Sequence, residues 1–315
     1  MERRLLTKAD FGKLLEAKDS KEILRLLGET DYSQVVLGMG EGASYEEILG
    51  SKEGELFGLL QELSLDPEVT DTLRDRYDFH NLKVLLKARL GGEDLDELLL
   101  PWGRGELDAL RGAVVEGEYG GVSSFLVEAI KEAISSWEEI QEPDAIDVIL
   151  DHHLFSHLLD VFERAHLDFL SGWVKREIDL LNLRTFTRLK LDEAESPELR
   201  RALIEGGGLA PGFFLVTFGE PWESLPVKFG NTLYRQVVEE GLAQRHSLAP
   251  LERACRDYIL SYLRRTYFTP FGIEPIYAFF LVKEEELKSL RTVILGKENG
   301  LDPKLIRERL PSDYL

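Results

Sequence analysis

The chain has 315 residues, of which 58 are acidic and 38 are basic, so its formal net charge is −20 at pH 7. This charge argues against sequence-independent binding to nucleic acid, which requires Lys and Arg to replace the counterions of the phosphates, and an anionic bilayer would repel the chain. The single cysteine, Cys255, excludes an internal disulfide and any multi-cysteine metal site. We expect it to be a small buried residue on a helix.

The N-terminal sequence has no apolar region typical of a secretory signal, because Thr7, Lys8 and Asp10 follow the Leu5-Leu6 pair directly. No stretch approaches the roughly 18 uncharged apolar residues that a membrane-spanning helix needs. The sequence therefore predicts a cytoplasmic protein without direct insertion into lipid. At roughly 100–200 residues per domain, the length favours two or three domains.

In chain order, apolar residues recur at spacings of three and four, which is typical of amphipathic helices. The first pair of helices is short, with Asp19 and Ser20 as the predicted cap between them. Longer helices are predicted at residues 68–90, 144–164, 167–189 and 276–296. The best strand-like stretch, residues 213–218, is short and flanked by Pro and Gly, so the predicted fold class is all-α.

Two of the predicted long helices carry the pattern Asp-x-x-Asn-Leu-(Lys/Arg). It occurs at residues 78–83 and again, 101 residues later, at residues 179–184. A related segment begins at Glu274, with Tyr277 in the place of the asparagine. Repetition at this period indicates diverged copies of one helical unit. The predicted domains are residues 1–96, 97–206 and 207–315.

The candidates for chemistry are weak. His153 and His157 have the i, i+4 spacing of two zinc ligands, and His166 or Asp160 could supply a third, but the general-base Glu of His-Glu-x-x-His is missing. The glycine-rich stretch at residues 38–42 lacks the Lys-(Ser/Thr) of a phosphate-binding loop, which favours a connection. We therefore predict no catalytic residue, no metal and no cofactor.

The repeated polar residues allow two interpretations. In the first, the asparagines brace helices within each unit and Asp78 and Asp179 make local contacts. In the second, the polar groups line a concave surface that binds another protein, since arrays of helical units often form such surfaces.

At several places the chain resembles the C subunits of the archaeal and bacterial V/A-type rotary ATPases, which are similar to the d subunit of the eukaryotic vacuolar proton pump. The resemblance rests on the opening from Leu5 to Tyr32, on the two Asn-Leu helices, and on the closing segment from Phe271 to Glu286 with Arg291 and the ending at residues 306–311. It extends over essentially the whole chain.

The resemblance implies a funnel of three similar helical domains around a pseudo-threefold axis, seated on the membrane-embedded ring of proteolipid subunits. The mouth of the funnel would receive the central shaft, made of the D and F subunits, and no reaction would occur in this chain. It also implies further residues before the Leu5-Leu6 step. Polar groups at the mouth would bind the shaft, and the predicted partner-binding residues are Asn81, Lys83, Asn182, Arg184 and Arg291.

Two alternatives belong to other functional classes. A free-standing helical-repeat adaptor would bind soluble partners and have no affinity for a proteolipid ring. A metal-dependent hydrolase built on His153 and His157 would contain zinc when purified.

Overall fold

The computed structural model describes residues 4–39, 43–243, 247–269 and 271–315, and within these ranges the regular structure is helical, without a strand. The all-α prediction is confirmed. The first eight α-helices are α1 (Lys8–Glu16), α2 (Ser20–Leu27), α3 (Ser33–Met39), α4 (Tyr45–Leu63), α5 (Pro67–Gly91), α6 (Leu107–Val115), α7 (Ser124–Ile140) and α8 (Pro143–Arg164). The others are α9 (Asp168–Leu191), α10 (Ser196–Ala202), α11 (Pro211–Phe218), α12 (Leu225–Lys228), α13 (Arg235–Gly241), α14 (Ala249–Leu263), α15 (Glu274–Glu298) and α16 (Pro303–Glu308).

Local signals in the sequence set several of the helix ends. The Asp19 side chain accepts a hydrogen bond from Glu22 N and so caps α2, as predicted. The Asp66 side chain caps α5 in the same way, and Gly92 ends that helix with a positive φ of 72°. The four predicted long helices are confirmed as α5, α8, α9 and α15.

The strand-like stretch at residues 213–218 lies in α11. Its apolar residues do not all point inward, since Phe214 is buried whereas 76% of the surface of Val216 is exposed. Pro211 at the first helical position suits the start of a helix, where a proline costs no hydrogen bond.

The chain forms two compact units. Unit 1 consists of residues 1–65 together with residues 221–315, and unit 2 is the continuous segment of residues 66–220. Unit 1 contains α1 to α4 and α12 to α16, and unit 2 contains α5 to α11. The three-domain division with boundaries near residues 96 and 206 stays a prediction.

Each unit has its own apolar core. In unit 1, residues of α1, α2, α15 and α16 pack together, and the rings of Phe11 and Tyr314 stack with their centroids 4.2 Å apart. In unit 2, apolar residues of α5 to α8 form the core, with Phe79 and Leu82 of α5 buried in it. Cys255 is a buried residue of α14, as predicted.

Of the glycine-rich stretch at residues 38–42, residues 40–42 lie outside the described residues. Among the helices that the structure describes, none is both long enough and apolar enough to span a membrane.

Candidate functional site

The first copy of the repeated motif holds the backbone of the segment that leads into α6. Asn81 is completely buried; its Nδ2 donates to Leu100 O at 2.8 Å and its Oδ1 accepts from Leu100 N at 2.9 Å. One turn earlier on α5, the Asp78 carboxylate accepts from Arg104 N at 2.9 Å and Gly105 N at 3.1 Å. We call residues 100–105 the first strap. Because buried backbone groups must be paired, these side chains replace the partners that the irregular segment lacks.

The second copy makes the same contacts. Asn182 is completely buried, its Nδ2 donates to Ile204 O at 2.7 Å, and its Oδ1 accepts from Ile204 N at 2.8 Å. The Asp179 carboxylate accepts from Gly208 N at 3.0 Å and Leu209 N at 2.9 Å. Residues 204–209, the second strap, lead into α11. The repeated Asp-x-x-Asn step is therefore a brace that connects a long helix to the following segment.

A third brace lies on α15, with different residue types. Lys283 Nζ donates to Arg4 O at 2.6 Å, and Leu6 N donates to the Glu286 Oε2 atom at 2.6 Å. The segment held is residues 4–7, the third strap, which leads into α1. Three long helices thus hold three straps, in each case through two side chains that are three positions apart.

That the segment beginning at Glu274 is a third copy of the motif stays a prediction. The bracing pair of α15 is Lys283 and Glu286, and the following Leu287 is buried like Leu82 and Leu183. Sequence reasoning missed this pair because neither residue has the chemical type of the Asp or Asn in the motif.

Glycines let the first two straps approach the braces closely. A Cβ added at Gly103 would fall well inside van der Waals contact with Asp78 Oδ1, and one at Gly207 would do the same with Asp179 Oδ1. Only glycine leaves room for a backbone at this distance from a carboxylate.

The basic residue that follows Asn81 pairs with a carboxylate of α8. Lys83 Nζ lies 2.6 Å from Asp151 Oδ1, and their side chains are 25% and 19% exposed. Burial raises the pKa of Asp151, whereas the charges of Lys83 and Arg184 lower it. Lys83 of α5 therefore forms an ion pair with Asp151, and the positive charge of Arg184 on α9 acts on the same carboxylate.

The same arrangement continues one turn further along both helices. Lys87 Nζ lies 2.6 Å from Asp147 Oδ2, and Arg188 reaches Asp144 at 3.9 Å. Lys87 and Arg188 are 101 residues apart, like the two asparagines. A row of carboxylates on α8 therefore connects the equivalent faces of α5 and α9.

Arg291, the fifth predicted residue, lies in unit 1. Its guanidinium contacts Glu46 of α4 at 3.0 Å and Glu53 at 3.8 Å, and its side chain is 32% exposed. It is not close in sequence to either brace of unit 2 and belongs to the packing of α4 on α15.

Asn81, Lys83, Asn182 and Arg291 therefore make contacts within the chain. For Asn81 and Asn182 the contacts are those of the bracing interpretation, and neither side chain has exposed surface. Lys83, Arg184 and Arg291 keep part of their surface accessible. That any of the five binds a partner stays a prediction.

The two histidines with metal-ligand spacing face different carboxylates. His153 Nε2 lies 2.8 Å from Glu132 Oε2, and His157 Nε2 lies 2.9 Å from Asp75 Oδ2. The His157 ring also stacks on Phe125 with centroids 4.0 Å apart. In the part of the chain that the structure describes, no three potential ligands are grouped to hold a metal ion.

The raised pKa of Asp78 predicts that the stability of unit 2 depends on pH. Burial, together with the nearby Asp75 charge, raises its pKa to about 6, against the opposing effect of the bonds from Gly105 and Arg104. The folded state then binds more protons than the unfolded state between about pH 4 and pH 6, so stability falls as the pH rises through this range. We expect unit 2 to lose about 2 kcal/mol between about pH 4.5 and pH 7 relative to Asp78→Asn.

The measurement is urea unfolding followed by tryptophan fluorescence, since Trp102, Trp137 and Trp173 lie in unit 2. Asp108→Asn, at an exposed position of α6, is the control and should keep the wild-type pH profile. Parallel profiles for wild type and Asp78→Asn would contradict the prediction.

Comparison with known proteins places this braced all-helical chain in a family. The family described as ATP synthase (C/AC39) subunit matches residues 1–309. Relatives include the C subunit of the V-type sodium ATPase of Enterococcus hirae, 28% identical over 99% of this chain and 95% of the relative. The C subunit of the A-type ATP synthase of Methanocaldococcus jannaschii is 26% identical over 99% of this chain and 84% of its own length. The chain belongs to the ATP synthase (C/AC39) subunit family, which confirms the resemblance inferred from the sequence.

Proposed function

We propose that this chain is a non-catalytic subunit of the central stalk of a V/A-type rotary ATPase. It would connect the shaft, made of the D and F subunits, to the membrane proteolipid ring and so transmit torque for ATP-linked transport of protons or sodium ions. It would lie on the cytoplasmic side, held at the membrane through the complex.

The observation that carries the proposal is the brace that occurs three times. Three long helices hold straps through residue pairs at 78 and 81, 179 and 182, and 283 and 286. Braces on three long helices support a chain of three similar units, as a funnel around a pseudo-threefold axis would require, and the family model matches residues 1–309. Repetition of a bracing contact serves shape, because each brace fixes the segment that leads into a helix against a long helix of the same unit.

The first test measures binding of the purified chain to the D and F shaft complex and, separately, to the detergent-solubilised ring, each at two salt concentrations. We expect binding to both. Strong salt dependence of the shaft affinity would indicate that charged groups contribute. Binding to neither partner by a folded chain would refute the proposal and favour the adaptor alternative.

We further propose that the accessible parts of Lys83, Arg184 and Arg291 contribute to the shaft-binding surface, whereas Asn81 and Asn182 act on it only by fixing the straps. In a chain with a net charge of −20, partly exposed cations are the groups that would attract carboxylates of a partner. Reversing the charge of Lys83 alone cannot test this proposal. The new carboxylate would face Asp151, so a loss of binding could result from a disturbed fold.

A charge swap separates folding from binding. In the triple variant Lys83→Glu, Arg184→Glu and Asp151→Lys, opposite charges still face each other, so the fold should persist while affinity for the shaft falls about tenfold. Exchanging the exposed pair Arg235 and Glu239 on α13 is the matched control and should leave affinity unchanged. Unchanged affinity in the first swap, with a normal helical spectrum, would remove Lys83 from the proposed surface.

A further inference from the structure

The third strap differs from the other two in how it is connected to its helix. The first strap begins 19 residues after Asn81, and the second begins 22 residues after Asn182. In contrast, Leu6 and Glu286 are separated by 280 residues. A short connection keeps the first two straps near their helices even when the brace breaks, whereas the third has no such local tether.

The brace on α15 contacts two segments, one before α1 and one after α2. Glu286 accepts from Leu6 N, which precedes α1, and from the Tyr32 hydroxyl at 2.7 Å, which follows α2. Lys283 reaches Arg4 O, also before α1, and lies 3.7 Å from the Asp31 carboxylate, after α2. One lysine and one glutamate therefore fix both ends of the segment that contains α1 and α2.

These contacts are buried within unit 1. Lys283 and Glu286 are 2.6 Å apart with side chains only 3% and 0% exposed, and Leu6 packs in the core that contains Leu287 and Leu290. Burial and the nearby Glu286 raise the pKa of Tyr32 well above its usual range, so its hydroxyl stays a hydrogen-bond donor. Separating one partner from a buried ion pair is costly because it leaves an uncompensated charge, so such a brace opens as a whole.

We propose that Lys283 and Glu286 form a latch that closes unit 1 by fastening residues 4–32, which carry α1 and α2, to α15. Opening the latch releases this helical pair as one body, while unit 2 stays folded. The braces on α5 and α9 join parts of one continuous segment. Breaking them would therefore not release a pair of helices in the same way. The latch is thus a conformational device of unit 1, independent of which partners the chain binds.

Hydrogen–deuterium exchange of the full chain, resolved by peptide, tests the latch. Glu286→Gln keeps the size of the side chain but removes the charge that Lys283 and Leu6 N contact. We expect amide exchange at residues 8–27 to accelerate on the order of 100-fold, with residues 66–220 unchanged. Tyr32→Phe removes a single donor and should accelerate the same amides about tenfold.

The matched control is Glu285→Gln, one residue earlier on α15, which weakens a contact with Arg256 at 3.6 Å and leaves the latch intact. It should change exchange at residues 8–27 less than about threefold. Three results would overturn the proposal: no acceleration in Glu286→Gln, equal acceleration in unit 2, or an equal effect of Glu285→Gln. Where Glu286→Gln does not fold, Tyr32→Phe decides, since acceleration confined to residues 8–27 supports the latch and its absence refutes it.

Discussion

Replacing Asn182 by Asp is expected to lower the free energy of unfolding of unit 2 by about 4 kcal/mol. Asn182 has no exposed surface, and its amide both donates to and accepts from Ile204. Aspartate offers oxygen in both positions, so one oxygen would face the carbonyl of Ile204, and a buried charge would lack a counter-ion. Urea unfolding monitored by tryptophan fluorescence measures the change, because three of the four tryptophans lie in unit 2.

Asn-to-Asp substitutions at other positions distinguish loss of the brace from a general effect of the added negative charge. Asn81→Asp should be destabilising to a similar extent, since Asn81 makes the equivalent contacts with Leu100. Asn231→Asp, at an exposed position of the 3-10 turn Phe229–Asn231, should change stability by less than about 0.5 kcal/mol. A small effect at position 182 would mean that the brace contributes little to the stability of unit 2.

Gly207→Ala is the second substitution with a large expected effect, a loss of about 3 kcal/mol in the stability of unit 2. The new Cβ would overlap Asp179 Oδ1 and crowd Ile178 Cγ2 at 3.1 Å. The carboxylate cannot move aside freely, because it holds the amides of Gly208 and Leu209. Either these hydrogen bonds break or the second strap shifts, and both take the amides of Gly208 and Leu209 away from their partner.

Gly212→Ala provides the control on α11, five residues further along the chain. A Cβ at Gly212 meets no heavy atom within 4 Å, and alanine is the better helix former. Its stability should therefore be equal to or slightly higher than that of the wild type. If both alanine variants unfolded at the same urea concentration, close approach of the strap to Asp179 would not be important for stability.

The sequence was informative wherever the decisive interactions are local. The spacing of apolar residues placed α5, α8, α9 and α15, and Asp19 and Gly92 marked helix ends, because caps and periodicity depend on residues within one or two turns. The offset of 101 residues between Asn81 and Asn182 revealed the first two copies for a similar reason: both retain the same side chains for the same contact.

The role of the repeated motif could not be predicted from local sequence signals. The partners of Asn182 lie 22 residues away, and an isolated Asn on a helix satisfies a bracing and a partner-binding interpretation equally well. The brace on α15 shows the limit most clearly. Lys283 and Glu286 perform the task of Asp and Asn with other chemistry, because the third strap presents a carbonyl to the lysine and an amide to the glutamate.

By itself, the sequence determined the helical class, the positions of the long helices, the two copies of the Asp-x-x-Asn motif and the family, since each depends on residue types at fixed spacing along the chain. Only the tertiary structure decided that Asn81 and Asn182 are buried braces, that Lys83 pairs with Asp151, and that Lys283 and Glu286 hold the segment before α1. These facts depend on which backbone groups of distant segments remain unpaired, and that is known only once the helices are packed.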